Sequence, residues 1–162
     1  MRTHQRLLYA INSSNYECID RLISRGLDLN SFFLSPLVDA MDANLPEMVK
    51  FLLSRGADPN HREQETGNSV LFYALESENP LLFTRILLQA GVDPNLQNRD
   101  GNTLLMEIVR DLQFRPYLTD VIPDIVLLLF QKDARDLENN EGETLWDLAE
   151  RHPSVLSRML QR

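Results

Sequence analysis

The chain has few of the residues that would tie it to disulfide chemistry or to a membrane. Its 162 residues include one cysteine, Cys18, which excludes an intrachain disulfide framework and favours a reducing compartment. The longest uninterrupted apolar run, residues 125–130, is far too short to span a bilayer. No useful apolar segment follows Arg2 and Arg6, so we expect no cleaved signal peptide and a cytoplasmic location. The alternative is delivery into another cell without such a peptide.

Basic charge is also scarce. Sixteen basic residues stand against 24 acidic ones, for a net charge of −8. Nucleic acid requires a basic face and anionic membranes repel negative charge, so we expect neither as a partner. Residues 133–150 hold seven carboxylates against Arg135 alone, a net charge of −6 that leaves −2 for the rest. This segment is either a solvated acidic cap or a docking surface for a basic partner.

Two markers recur along the chain and indicate internal repeats. The first reads Gly-x-Asp-x-Asn and occurs at 26–30, 56–60 and 91–95, with a fainter copy at 133–137. The second is a hydroxyl residue before an apolar pair, with spacings of 34, 34 and 41 residues, and its copies are Ser35, Ser69, Thr103 and Thr144. A period in the low thirties is typical of a helical solenoid.

Each unit reads as a helix, a turn and a second helix. Ser35 is a suitable N-cap because its hydroxyl can accept from a free amide, and Pro36 suits the first helical position. The other three hydroxyl residues can cap in the same way. Apolar residues at i, i+3 and i+4 give each helix one buried face. In the first helices these are Leu7, Ala10, Ile11, Leu37, Ala40, Met41, Leu71, Ala74, Leu75, Leu105, Ile108 and Val109. In the second helices they are Cys18, Ile19, Leu22, Ile23, Met48, Val49, Leu52, Leu53, Phe83, Thr84, Leu87, Leu88, Ile125, Val126, Leu129 and Phe130.

Glycines mark the ends of the units. Gly26, Gly56 and Gly91 follow the second helices, where a left-handed residue closes the last turn. Gly101 and Gly142 are predicted to lie in hairpin turns.

These motifs resemble ankyrin repeats. The best matches are Ser35-Pro36-Leu37, Gly56-Ala57-Asp58-Pro59-Asn60, and Asn95 together with Asp100-Gly101-Asn102-Thr103-Leu104-Leu105; the resemblance runs from about Gln5 to the last helix. It implies one all-α domain over 1–162, a solenoid of about four helix-turn-helix repeats and a C-terminal capping helix pair, joined by β-hairpin-like loops. The implied units are 5–34, 35–68, 69–102, 103–143 with an insertion near 112–120, and a cap at 144–162 whose final helix begins at Pro153.

The chain departs from the family pattern in several places. A histidine usual in the first helix is replaced in every unit, by Leu8, Val38, Phe72, Met106 and Asp147. The loop at 30–35 is three residues short, so the first hairpin is expected to be truncated. Phe32 and Phe33 in that loop either cover the open end of the core or expose an apolar patch. Ile108 replaces a small alanine, so we expect the fourth unit to be the least regular. Its insertion at 112–118 either carries function or seals that unit.

No constellation of catalytic residues is visible. His4, His61 and His152 have no metal-site spacing and are expected on the surface or in loops. Cys18 occupies an apolar helix position and is interpreted as a core residue, as is Trp146. We therefore expect a non-enzyme with no catalytic residue, no metal and no cofactor.

The resemblance implies a protein-binding function through a concave groove formed by first helices and hairpin tips. An aromatic anchor would lie near the middle of the array at Tyr73. The residues carried over are Asp39, Asp42, Tyr73, Glu76, Arg99, Asp100, Asn102, Glu107, Arg110, Glu141 and Glu143, with Tyr9, Asn12, Glu65, Thr66 and Asn68 beside them. Ten of the sixteen are charged and only two of those are basic, which predicts a basic protein or peptide partner.

Other functions remain open at this point. An immunity or antidote-type inhibitor of a basic toxin, a scaffold and a translocated bacterial effector all fit a small acidic array. A self-associating structural protein and a hidden enzyme are further alternatives, although we expect a monomer.

Overall fold

The computed structural model describes residues 3–111, 120–151 and 153. These residues form nine α-helices and one isolated antiparallel β-bridge between Arg62 and Ser69. The helices are α1 Thr3–Asn12, α2 Tyr16–Ser24, α3 Pro36–Asp42, α4 Pro46–Ser54, α5 Val70–Glu76, α6 Pro80–Gln89, α7 Leu104–Asp111, α8 Ile122–Gln131 and α9 Leu145–Arg151.

The helices pack as consecutive antiparallel pairs in two layers. The pairs are α1 with α2, α3 with α4, α5 with α6, and α7 with α8. In the first layer α3 packs between α1 and α5, and α7 packs on α9; in the second layer α6 packs between α4 and α8. This is the all-α repeat solenoid that the sequence predicted. The individual unit boundaries stay predictions.

The predicted apolar faces form the core that joins the pairs. All twelve residues assigned to the first-helix faces are buried. The second-helix faces are buried at most positions, and Cys18 is half-buried against the core. Since each pair buries its apolar face only against its neighbours, the array holds together as one cooperative unit.

Two aromatic assignments to the core are wrong. Phe130 on α8 is 46% exposed and Trp146 on α9 is 49% exposed. Leu71, the equivalent of Trp146 in the third unit, is 1% exposed. Among the described residues, α9 is the last helix of the first layer and α8 is the last helix of the second.

The predicted caps are confirmed at two of four positions. Ser35 Oγ accepts from the amide of Leu37 at 3.3 Å. Thr144 forms a reciprocal capping box, because its Oγ1 accepts from the Asp147 amide while Asp147 Oδ2 accepts from the Thr144 amide. The prediction for Ser69 is wrong: its buried Oγ has no hydrogen-bond partner among the described residues, and Ser69 closes a hairpin through its bridge with Arg62. The sequence did not indicate Asn15, whose side chain caps α2 by accepting from Cys18 at 2.9 Å.

The Gly-x-Asp-x-Asn segments tie each unit to the next. Gly26, Gly56 and Gly91 are left-handed as predicted, with φ near +90°, and Asp133 takes the same role in the fainter copy with φ +61°. An asparagine side chain then bridges to the following unit. Asn30 Oδ1 accepts from the amide of Asp58 at 2.8 Å. Asn60 and Asn95 repeat this contact, accepting from the amides of Asp93 at 2.8 Å and Arg135 at 2.7 Å. We call these three residues the asparagine ladder.

The fourth unit is looser than the others, as predicted. Contact between α7 and α8 is sparser than in the other helix pairs. Ile108, at the position where the family has alanine, is buried on α7. The insertion at 112–118 lies outside the described residues, as does the final helix predicted from Pro153 apart from that first residue.

Candidate partner-binding surface

The first helices carry two rows of side chains at the positions predicted for the concave face. Because α1, α3, α5 and α7 share one register, equivalent positions recur from unit to unit. The first row is Tyr9, Asp39, Tyr73 and Glu107, and the second row is Asn12, Asp42, Glu76 and Arg110. Tyr9 is 67% exposed, whereas the other three residues of its row are half-buried. The second row is exposed, although Asp42 is partly covered.

Two aspartates of these rows are held in unfavourable surroundings. Burial raises the pKa of Asp39 to about 6, with His4 lowering it and Asp42 raising it further. Burial also raises the pKa of Asp42, and the nearby Glu76 carboxylate adds to that effect. Carboxylates of α3 and α5 therefore lie close enough to raise the pKa values of these two aspartates.

The hairpins begin with a shared device. At each start, a side-chain oxygen accepts from the backbone amide two residues later: Glu63 from Glu65 at 2.6 Å, Asn98 from Asp100 at 3.1 Å and Asn139 from Glu141 at 2.9 Å. The backbone closes behind it, with bonds of 2.9 Å from Glu63 N to Asn68 O, from Asn98 N to Asn102 O and from Asn139 N to Glu143 O. The three hairpins, 63–68, 98–102 and 139–143, thus open in the same way despite different sequences, and the first is one residue longer than the other two.

Each hairpin is bonded to the next. Arg99 N donates to Thr66 O at 2.9 Å, and Asn140 N donates to Asp100 O at 3.0 Å. Side chains add to these ties: the Arg99 guanidinium donates to Gln64 O, and Asn140 Nδ2 donates to Arg99 O at 2.7 Å. Gly101 lies at the second junction with φ +79°, where a Cβ would come within 2.5 Å of Asn140 N. Only glycine fits this junction.

A buried amide network lies under the last two hairpins. Asn139 Nδ2 donates to Asn102 Oδ1 at 3.0 Å, and Asn102 Nδ2 donates to Glu107 Oε1 at 2.8 Å. Asn98 Nδ2 donates to the same Glu107 oxygen at 3.2 Å. Asn102 is 0% exposed, so the prediction that it contacts a partner is wrong. Its amide is consumed in holding the hairpins and Glu107.

Glu63 holds hairpin 63–68 together and was not predicted from the sequence. Its carboxylate accepts from the amides of Glu65 and Thr66 and from Thr66 Oγ1, at 2.6 to 2.7 Å. The Thr66 hydroxyl bond, the two amide bonds and nearby Arg99 lower its pKa against the opposing effect of desolvation. The signal that could have found it is its spacing, since Glu63, Asn98 and Asn139 follow one another by 35 and 41 residues, close to the repeat period.

A cleft opens between hairpins 63–68 and 98–102, above α5 and α7. It encloses about 500 Å³ and we call it the α5–α7 cleft. Its apolar floor comprises Phe72, Leu75 and Leu104, and its polar wall comprises Glu65, Thr66, Asn68, Glu76, Asn98, Arg99, Asp100 and Glu107. The volume falls within the range of ligand-binding clefts.

The repeated helix pairs, hairpins and linking asparagines match one known architecture. The family model for ankyrin repeats, in three copies, matches residues 37–136. The chain belongs to the ankyrin-repeat family. Ankyrin repeats are protein–protein interaction modules, and the family is typically non-enzymatic.

Several curated proteins are similar to this ankyrin array. A putative ankyrin repeat protein of fowlpox virus, FPV031, is 30% identical over 145 residues, which cover 85% of this chain and 40% of that protein. The B-cell lymphoma 3 protein homolog of Mus musculus is 32% identical over 101 residues, 60% of this chain and 22% of its own. The BTB/POZ domain and ankyrin repeat-containing protein NBCL of Lotus japonicus is 30% identical over 149 residues, 85% of this chain and 30% of its own. The chain thus spans 40% or less of each relative.

The ankyrin surface brings most of the predicted contact residues together, although not all are equally available. Glu76, Arg99, Asp100 and Glu107 meet around the α5–α7 cleft. Tyr73 stands beside Thr66, and burial raises the pKa of its phenol. Arg110 lies exposed on α7. Their role in binding stays a prediction.

The acidic segment 133–150 makes more contacts within the chain than the sequence predicted. The Glu143 carboxylate accepts from Arg151 and lies 3.4 Å from Asn139 Nδ2; these contacts, Arg151 foremost, lower its pKa. Asp136 Oδ1 accepts from the Leu145 amide at 2.8 Å, at the start of α9. Glu141 remains exposed at the hairpin tip. Part of the −6 charge therefore caps or braces α9, and the rest faces solvent.

The shortened first loop splits its two phenylalanines. Phe32 is half-buried against the core and its ring lies 5.1 Å from that of His4, while Phe33 is 50% exposed. His61 is half-buried in a loop, with Nε2 3.4 Å from Phe33 O, and His4 is exposed on α1; His152 lies outside the described residues.

The described parts of the chain hold neither a metal-ligand cluster nor a membrane-spanning helix. No group of three or more His, Cys, Asp or Glu side chains there could hold a metal ion. Within the same residues, every helix is too short or too polar to cross a bilayer.

Proposed function

We propose that this ankyrin array is a non-catalytic module that binds a basic protein or peptide on its concave face and hairpin tips. The observation that carries the proposal is the pair of aspartates on that face, Asp39 and Asp42, whose pKa values are raised by burial. Folding alone would favour neutral side chains at such sites, because a buried charge costs free energy. Perturbed carboxylates of this kind concentrate at functional sites.

Charge complementarity favours a basic partner. The two rows and the hairpin tips carry mainly carboxylates, and a concave surface of one sign attracts opposite charge and accelerates association. The ties between hairpins support binding as well, since a surface fixed before binding loses less conformational entropy on association. A basic toxin held by an antidote-type inhibitor is one partner of this chemistry, and the target of a translocated effector is another.

Capture of partners from the source cell, followed by calorimetry with the purified partner, tests the proposal. Asp42→Lys and Glu76→Lys should each weaken binding about tenfold at low salt, because each reverses a charge at the interface. The slope of affinity against salt concentration should fall with them. Asp39→Asn serves at the third site, where a buried lysine would threaten folding.

Glu47→Lys is the matched control, because Glu47 is an exposed carboxylate on α4 in the second layer. It should leave affinity and salt dependence unchanged. If the concave-face variants bind as tightly as the wild type, the concave-face proposal fails. Light scattering over a concentration series checks the expected monomer, and growth in mass with concentration would favour the self-associating alternative.

A further inference from the structure

The α5–α7 cleft combines features that suit one kind of side chain. Its floor is apolar, with Phe72, Leu75 and Leu104. Its wall carries four carboxylates, those of Glu65, Glu76, Asp100 and Glu107. A ligand that fills it must be apolar along its length and cationic at its end.

Glu107 is held in a fixed orientation at one wall. The amides of Asn98 and Asn102 both donate to its Oε1, and Asn139 in turn fixes Asn102. Among the described residues, neither amide donates to Oε2. One oxygen of an immobilised carboxylate is therefore left for a donor from outside, at little cost in conformational entropy.

Among the described residues that line the cleft, the cation is Arg99, and it is already engaged. The Arg99 guanidinium donates to Gln64 O, and its charge lowers the pKa of Glu63. Arg99 therefore braces the neighbouring hairpin, and the carboxylates of Glu65, Asp100 and Glu107 outnumber it among these lining residues.

We propose that the α5–α7 cleft is a pocket for one arginine side chain of the partner, an inference that rests on the proposed function. The guanidinium donates to Glu107 Oε2, and the methylene stem lies on the floor at Phe72 and Leu75. Arginine suits the pocket better than lysine because its planar fork offers several donors at fixed angles and is weakly hydrated. Its stem covers apolar surface while its head stays charged.

An NMR titration with three blocked heptapeptides tests this pocket directly. Their sequence is Gly-Ser-Gly-X-Gly-Ser-Gly, where X is arginine, lysine or citrulline, the last being an uncharged copy of arginine. The arginine peptide should shift backbone amides of 63–68, 98–102 and the first turn of α7, and bind several-fold more tightly than the lysine peptide. Citrulline should produce no shift. Equal binding of arginine and lysine, or shifts elsewhere on the chain, would overturn the proposal.

Variants sharpen the result. Glu107→Gln keeps the shape and the bonds from the asparagines but removes the charge, and should weaken the arginine peptide about tenfold. Glu47→Gln, a carboxylate on the opposite layer, should change nothing. If Glu107→Gln disturbs the hairpin spectrum, Glu76→Gln tests the same pocket from α5. Unchanged arginine affinity in both variants contradicts the assignment.

The two proposals can fail separately. If charge reversal at Asp42 abolishes partner binding but no peptide binds the cleft, the concave face stands and the arginine pocket falls. If the arginine peptide binds the cleft but the captured partner ignores every charge reversal, the pocket stands and the proposed partner site falls.

Discussion

The first loop and the later hairpins close the same side of the solenoid by different means. The loop at 30–35 is short and is sealed by an apolar side chain, Phe32, packed against the core and His4. The hairpins at 63–68, 98–102 and 139–143 are sealed by backbone bonds, buried amides and carboxylates. We call the loop at 30–35 the apolar plug and the three bonded hairpins the polar ribbon.

The difference shows where a rigid surface can be built. Apolar contacts are non-directional, so a plug protects the core without fixing positions on its outer side. Hydrogen bonds are directional, and a network with satisfied members holds its groups in one arrangement. We therefore expect the polar ribbon to carry recognition and the apolar plug to protect the core.

The largest effect should come from blocking a junction within the ribbon. Gly101→Ala puts a methyl group against Asn140 N and forces a left-handed conformation on alanine. The two costs together should lower the free energy of unfolding by about 3 kcal/mol. Gly142→Ala is the matched control, since Gly142 is also left-handed but has open space around it, and should cost about 1 kcal/mol. Urea unfolding measures both, and equal losses would show that the hairpins are not in contact.

The next effect should come from emptying the amide network. Asn102→Ala removes the donor to Glu107 and the acceptor for Asn139, leaving buried polar groups unsatisfied. The expected loss is about 2 kcal/mol of unfolding free energy. Hydrogen exchange should quicken at hairpins 98–102 and 139–143 while the first loop keeps its protection. A uniform change along the whole chain would contradict a local network.

On the plug side, the two phenylalanines should behave differently. Phe32→Ala removes packing against the core and should lower stability by about 1 kcal/mol. Phe33→Ala removes a half-exposed ring and should stay within about 0.5 kcal/mol of the wild type. Thermal denaturation of the pair is sufficient, and a larger loss for Phe33 would reverse their assigned roles.

The smallest effect concerns Asp39, which is influenced by His4 beside the plug and by Asp42 on the concave face. Its folded pKa of about 6 lies above the ordinary aspartate value of 3.8, so the folded protein binds its proton more tightly than the unfolded chain does. This contribution to stability is full below about pH 4 and is lost as the pH rises through 6.

Asp39→Asn should therefore be more stable than the wild type at pH 7, by about 1 kcal/mol after allowance for solvent screening. The advantage should disappear near pH 4, and urea midpoints at both pH values measure it. The same advantage at the two pH values would show that Asp39 does not titrate differently in the folded state.

The sequence was most informative where one residue type does one local job. The left-handed glycines and the Ser35 cap were predictable because conformation and capping depend on a few neighbouring atoms. Ser69 looks the same in sequence, yet its hydroxyl is enclosed by tertiary structure and caps nothing. Trp146 occupies a core position of the repeat, but its burial depends on a neighbouring helix that the pattern of its own unit does not describe.

The layout of the candidate surface was predictable in outline and less so in detail. The helix register predicts equivalent positions for Asp39, Asp42 and Glu76 on the first helices, and the structure leaves Asp42 and Glu76 exposed and Asp39 half-buried. Asn102 reads as an exposed turn residue, whereas a contact 37 residues away along the chain buries it. Glu63 was not predicted because its two equivalents are asparagines, so residues of different types make the same hydrogen bond.

The asparagine ladder has a consequence for how such a chain can change in length. Each rung joins an asparagine side chain only to backbone atoms of the following unit, as Asn30 does at Asp58 N and Gly56 O. A backbone partner is present whatever side chains that unit carries. A gene duplication that inserts another unit of the same period would therefore find its connection already made at both junctions. Growth by tandem copying, followed by divergence of the exposed rows, requires no new joint.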